Sequence, residues 1–104
     1  MVKLTVLYTT PGDTDAFDKY YFGTHVPLVD TIPGIRRNEV SKFSGTLDGS
    51  PLPYYLQAEL YFDDADALMA GFGSTEGQAA AADVANFPTG VAPTMVMADV
   101  VKDK

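Results

Sequence analysis

Residues 54–62, Tyr54-Tyr55-Leu56-Gln57-Ala58-Glu59-Leu60-Tyr61-Phe62, constrain the fold more than any other segment. Tyr54, Leu56, Ala58, Leu60 and Phe62 share one side, and Tyr55, Gln57, Glu59 and Tyr61 the other, a period of two that a β-strand produces and a helix does not. A strand with one wholly apolar side needs a second layer against it. Val2, Leu4, Val6 and Tyr8 alternate with Lys3 and Thr5 in the same way and predict a first strand. Residues 35–43 predict a second strand with a polar side, and residues 91–101, rich in Val and Met, a last one.

Helical patterns lie between the strands. Pro11-Gly12 ends the first strand, and Asp13 caps a helix whose Phe17, Tyr21, Thr24 and Leu28 fall on one face at spacings of three and four. Asp63 or Asp64 caps a short helix ending near Gly71-Phe72-Gly73, and Asp63, Asp64 and Asp66 sit where the helix dipole favours carboxylates. Ser74 opens another helix that runs through Ala79-Ala80-Ala81-Ala82 to Asn86 and is broken by Pro88 and Gly90. Residues 47–53 form a hairpin loop. The order strand, helix, strand, strand, helix, strand is that of the α+β class, a ferredoxin-like βαββαβ sandwich with a four-stranded antiparallel sheet, in one domain spanning 1–104.

Helices packed on one side leave the other sheet face open. Leu7, Tyr55 and Tyr61 fall there, with Met95 and Met97, or with Val96 and Ala98 if the last strand slips by one residue. Such a face is too apolar for open water, so a homodimer is expected to cover it. Thr5, Gln57 and Glu59 share the face, which favours an interface enclosing a partly polar cavity over a dry one.

The formal charge of −7 argues against nucleic acid as a partner, since phosphate binding needs clustered Lys and Arg. With no cysteine there can be no disulfide, thiolate nucleophile or cysteine-ligated metal. No run is long and apolar enough for a membrane span or a signal-peptide core, so no membrane partner and a cytoplasmic protein are expected.

The sole histidine stands in Tyr21-Phe22-Gly23-Thr24-His25-Val26-Pro27-Leu28-Val29, where a helical pattern meets a proline. Pro27 has no N–H and its ring crowds the carbonyl of Gly23, which predicts a kink or stop near His25 and freed carbonyls close to the imidazole. The negative end of the helix favours the protonated ring and burial opposes it, poising His25 as an acid or base. The competing reading is a histidine that only closes the helix end.

Five blocks together are familiar: residues 17–21, His25-Val26-Pro27-Leu28-Val29, Ile32-Pro33-Gly34-Ile35-Arg36-Arg37, residues 54–62 and residues 78–87. In these the chain resembles the EthD family of the dimeric α+β barrel superfamily. The resemblance implies a homodimer of two ferredoxin-like units forming a barrel with ligand cavities, and it supports His25 as the family's recurrent site histidine. It does not fix the chemistry, because similar barrels include cyclases, decarboxylases, isomerases, cofactor-free monooxygenases and haem proteins.

No glycine-rich signature follows a strand and opens a helix, so no nicotinamide or flavin cofactor is expected, and none of any other kind is assigned. No serine occupies a nucleophile elbow. What remains is proton chemistry, with His25 as acid or base, Tyr21 and Glu59 as its helpers, and Tyr20, Leu7, Tyr55, Tyr61, Asp83 and Arg36 lining or supporting the cavity. Each helper has a structural alternative. The tyrosines can be core, Glu59 can pair with Arg36, Arg37 or Lys42, and Asp83 with Asn86 can bind loop backbone or pair with Arg36 or Arg37. The expected function is a small-molecule-binding dimer, a cofactor-independent lyase or isomerase for an apolar, aromatic or oxygenated metabolite. An oxidoreductase component of a catabolic pathway and a non-catalytic binding or stress-response dimer are the alternatives.

Overall fold

The computed structural model describes residues 1–88, 91 and 93–103. Gly90, expected to help end a helix, and Ala92, expected in the last strand, lie outside these residues. Four strands, β1 (Val2–Tyr8), β2 (Arg37–Lys42), β3 (Leu56–Phe62) and β4 (Pro93–Asp99), form one antiparallel sheet in the order β2-β3-β1-β4. The expected ferredoxin-like α+β architecture is present. β1 has the expected extent, whereas β2, β3 and β4 are shorter than the sequence predicts, β2 losing its ends to the turn after Ile32 and to the loop that begins at Phe43.

In β1 and β3, Val2, Val6, Tyr8, Leu56, Ala58, Leu60 and Phe62 are buried under the helices. Direct pairing puts Val6 opposite Ala58 and Tyr8 opposite Leu56, so both strands turn their apolar sides to the same layer. α3 (Ala65–Gly73) and α4 (Thr75–Ala82) start where expected: Asp64 accepts a hydrogen bond from the Ala67 amide at 2.8 Å, and Ser74 from that of Gly77 at 3.0 Å. A 3₁₀ turn, Asp83–Asn86, closes α4.

The first helix differs from the expected pattern in an informative way. Asp13 caps α1 (Thr14–Tyr20), but Pro27 does not end the helix. A π turn spans Tyr21–His25, with the Val26 N–H bonded to the Tyr21 carbonyl, and α2 (Val26–Val29) continues beyond it. The wider turn makes room for a proline ring and removes no bond that Pro27 could have made. It also moves the buried stripe. Phe17, Tyr21, His25 and Val29 are buried, whereas Thr24 is exposed and Leu28 only half-buried. Four-residue steps drift by about 40° in an α-helix, and the extra residue of the π turn takes up that drift. His25 therefore faces inward, although it lies outside the expected stripe.

The open sheet face carries Leu7 and Tyr61 as expected, but Tyr55 is not on it. Tyr55 precedes β3 at a bend; its hydroxyl donates to Asp18 of α1 and its ring meets Phe17 edge-on at 6.0 Å, on the helix side. Met95 pairs with Val6 and Met97 with Leu4, so β4 presents Val96 and Ala98 to the open face, the slipped register. The methionines stay half-exposed, 50% and 52%, because the helix layer does not reach fully over this edge strand.

Candidate functional site

The π turn delivers His25 beneath the 3₁₀ turn that follows α4, and Asp83 opens that turn. His25 Nδ1 lies 3.0 Å from Asp83 Oδ2, and the two side chains are 6% and 7% exposed. The other Asp83 oxygen accepts from the Tyr20 hydroxyl at 2.5 Å and from Asn86 Nδ2 at 3.1 Å. Asp83 and Asn86 thus share a face, as their spacing predicts. The carboxylate binds a histidine, a tyrosine and an asparagine, not an arginine.

Burial pushes Asp83 up, but hydrogen bonds from Tyr20, Asn86 and His25 outweigh it and hold the carboxyl below its usual range. Burial pushes His25 below its ordinary value, and the bond and charge of Asp83 oppose this without overcoming it. Near neutral pH the pair is a neutral imidazole beside a carboxylate. Because an ionised carboxylate only accepts, the ring proton sits on Nδ1 and the lone pair on Nε2. The carboxylate, rather than carbonyls freed by Pro27, orients the ring.

Nε2 makes no hydrogen bond among the described residues, and the one buried side-chain nitrogen or oxygen without a partner there is Asn38 Oδ1. Nε2 is thus left free of protein partners there, and His25 is one of the residues lining a cavity. That cavity lies between sheet and helices and has a volume of about 50 Å³. It is a narrow slot. Leu4, Val6 and Ala58 form its floor, and the small side chains of Ala58 and Ala80 leave the room that larger residues would fill.

Tyr21 lies beside His25, ring centroids 5.4 Å apart, and lines the slot with Tyr8. Burial pushes the Tyr21 hydroxyl up to about 12, against the pull of a hydrogen bond with Tyr8, and burial raises Tyr8 as well. Both stay protonated at neutral pH and can donate. Phe87 closes the ring cluster, its centroid 4.7 Å from the imidazole.

Of the residues expected at the site, the structure brings together His25, Tyr21, Tyr20 and Asp83. Glu59 is not with them. It projects from the opposite face of the sheet, where Lys3 Nζ lies 2.5 Å from its carboxylate, so its partner comes from β1 and not from Arg36, Arg37 or Lys42. Leu7 and Tyr61 share that opposite face, and Tyr55 bonds Asp18. Arg36 makes a two-pronged exposed pair with Asp63 at 3.0 and 2.7 Å. Asn38 was not anticipated; the signal was a polar residue in β2 at a position facing the helices.

Among the described residues, no three His, Asp or Glu side chains are grouped to hold a metal ion, and no helix is long and apolar enough to cross a membrane.

The EthD domain family model matches residues 10–89. An uncharacterized 11.0 kDa protein in the thcB-thcC intergenic region of Rhodococcus erythropolis is 44% identical over 99 residues, covering 95% of this chain and 94% of that protein. The crystal structure of an ethyl tert-butyl ether d (EthD) family protein from Bacillus halodurans superposes with a TM-score of 0.86 at 37% identity, over 95% of this chain and 97% of that one. SnoaB, a cofactor-independent oxygenase from Streptomyces nogalater, has a TM-score of 0.69 at 12% identity over 98% and 94% of the two chains, a likeness of fold alone.

Proposed function

This chain belongs to the EthD domain family, and on that premise we propose that it is a small-molecule-binding homodimer using His25 as a general base. The observation that carries this reading is the neutral imidazole held by Asp83 at 3.0 Å, its Nε2 unpaired among the described residues, on a residue that lines an apolar slot. A base works best when its partner fixes the tautomer and its lone pair meets the substrate in a water-poor space. The slot's apolar floor and its tyrosine hydroxyls suit a flat aromatic or oxygenated metabolite.

Proton abstraction from carbon or oxygen is the step such groups would serve, and it supports a cofactor-independent lyase or isomerase reaction as the first to test. That SnoaB works as an oxygenase without a cofactor is compatible with such a base on this fold, and it makes an oxygenase the second outcome to test. The homodimer rests on the open sheet face, where Leu7, Tyr61 and Val96 form a surface that a second copy would cover.

The test is a turnover screen of oxygenated aromatic compounds without added cofactor, in air and under nitrogen. His25→Gln keeps a hydrogen-bonding group but cannot titrate near neutrality, so turnover is expected to fall by about a hundredfold or more with the fold intact. A folded variant within about threefold of wild type would refute the base role. Loss of turnover under nitrogen identifies the oxygenase.

A further inference from the structure

At about 50 Å³, the slot beside His25 has room for only a few waters, whereas a single benzene-sized ring needs a cavity of about 150 Å³. A ring that reaches the imidazole must therefore displace part of the wall. Most of the wall is fixed. Tyr8, Tyr21, Val29 and Leu60 are buried and interlocked in the core, where moving one side chain disturbs its neighbours. Phe72 packs on the Phe62 ring, and Asn38 is tied to Asp30 at 3.1 Å. Ala81 is exposed, but a lone methyl has no rotamer to change.

Met95 is different. It lines the slot from β4, an edge strand, and half of its surface is in solvent. Its pairing with Val6, which belongs to the slot's floor, puts it on the helix-facing side of the sheet. The helix layer stops short of this edge, so one flank of the side chain meets the slot and the other meets water. Methionine is unbranched, with three rotatable bonds, and its thioether makes favourable contacts with the edge of an aromatic ring. Resting on the reading of the slot as a binding site, we propose that Met95 is the movable wall of the slot and sets the size of the ligand that reaches His25. Swung toward solvent, the side chain vacates the space of its Cγ, Sδ and Cε atoms, and a ring enters edge-first from the β4 side with its outer end against the thioether. The ligand class this admits is flat single-ring compounds.

The test titrates phenol into the protein and follows the imidazole ¹⁵N and neighbouring amide signals by NMR. Met95→Ala removes the wall, and phenol is expected to bind about tenfold tighter than to the wild type. Met95→Ile keeps a similar volume but stiffens the side chain at χ1, and binding is expected to weaken about threefold or more. Met97→Ala is the control: this residue is similarly exposed and on the same side of β4 but lines a separate hollow with Val2, so its affinity for phenol should match the wild type. Shifts at His25 that give equal affinities in the wild type, Met95→Ala and Met95→Ile overturn the role of Met95 while leaving the slot a binding site. Equal tightening in Met95→Ala and Met97→Ala also overturns it, since the effect then belongs to the edge strand as a whole. No shift at His25 in any of the four proteins overturns both readings. Met95 is half-exposed, so both substitutions are expected to leave the fold intact, and either comparison stands by itself if the other variant does not fold.

Discussion

Asp83→Asn isolates the electrostatic part of the site with almost no change of shape. In the wild type, one carboxylate oxygen accepts from both Tyr20 and Asn86, and the other faces His25 Nδ1. In the variant, the two donors hold the amide oxygen on their side, which forces the new NH2 group toward the imidazole. A donor now meets Nδ1, so the ring proton must move to Nε2, and the lone pair leaves the slot. Charged hydrogen bonds contribute about 1.5–3 kcal/mol and neutral ones about 0.5–1.5, so weakening these contacts, offset by easier burial of a neutral amide, costs about 1–3 kcal/mol. For a domain of this size each kcal/mol lowers Tm by about 4–8 °C. The chain has one histidine, so the ¹⁵N signals of its imidazole need no assignment. They are expected to report Nδ1–H in the wild type and Nε2–H in Asp83→Asn, with turnover reduced by about two orders of magnitude or more once a substrate is found. An Nε2–H wild type, or a tautomer unchanged by the substitution, would refute the reasoning.

The native imidazole titrates below its ordinary value of 6.5, so as pH falls through that value the unfolded chain takes up a proton that the folded chain does not. Stability should decline from pH 6.5 downward until the folded ring is protonated, a decline that urea titrations should find missing in His25→Gln; the lowered Asp83 carboxyl adds a further loss at more acid pH. Gly77→Ala should destabilise by about 1–3 kcal/mol, because the new methyl would lie on the Gly71 carbonyl and 2.6 Å from Phe72 Cα, outweighing a gain in helix propensity of about 1 kcal/mol. Gly23→Ala, with nothing within 4 Å, should instead stabilise by about 0.5–1 kcal/mol in the same denaturation assay. Pro27→Ala restores an N–H and should let the π turn relax toward an α-helix, rotating His25 off Asp83; unchanged imidazole shifts in that variant would show that the proline does not position the ring.

The strands and caps were legible because they depend on neighbours in sequence. Alternation marks β1 and β3, and Asp13, Asp64 and Ser74 cap helices through contacts three residues away. Faces were harder to read. The helical stripe predicted Thr24 and Leu28 and found His25 and Val29, since one π turn shifts every later residue by a step that no local propensity signals. Tyr55 left its expected face because the strand begins one residue after it. The separation of Glu59 from His25 was in principle readable: a helix-borne histidine meets the Leu56 side of β3, and Glu59 is on the other side. The sheet itself therefore stands between the two side chains.

The polar groups that define the slot share one property. His25 and Asn38 line it and Asp83 stands behind His25, and each turns a polar side chain toward a layer that is otherwise apolar. Two of them satisfy each other across 58 positions of sequence, a pairing invisible until the fold brings the π turn and the 3₁₀ turn together. The third, Asn38, donates its Nδ2 to Asp30, and its Oδ1 alone is left without a partner among the described residues. Burying polar groups at core positions works against stability unless they find partners, so a chain that keeps a histidine on this slot needs the Asp83 carboxylate behind it, and the stability given up there is what a site built on a held imidazole costs.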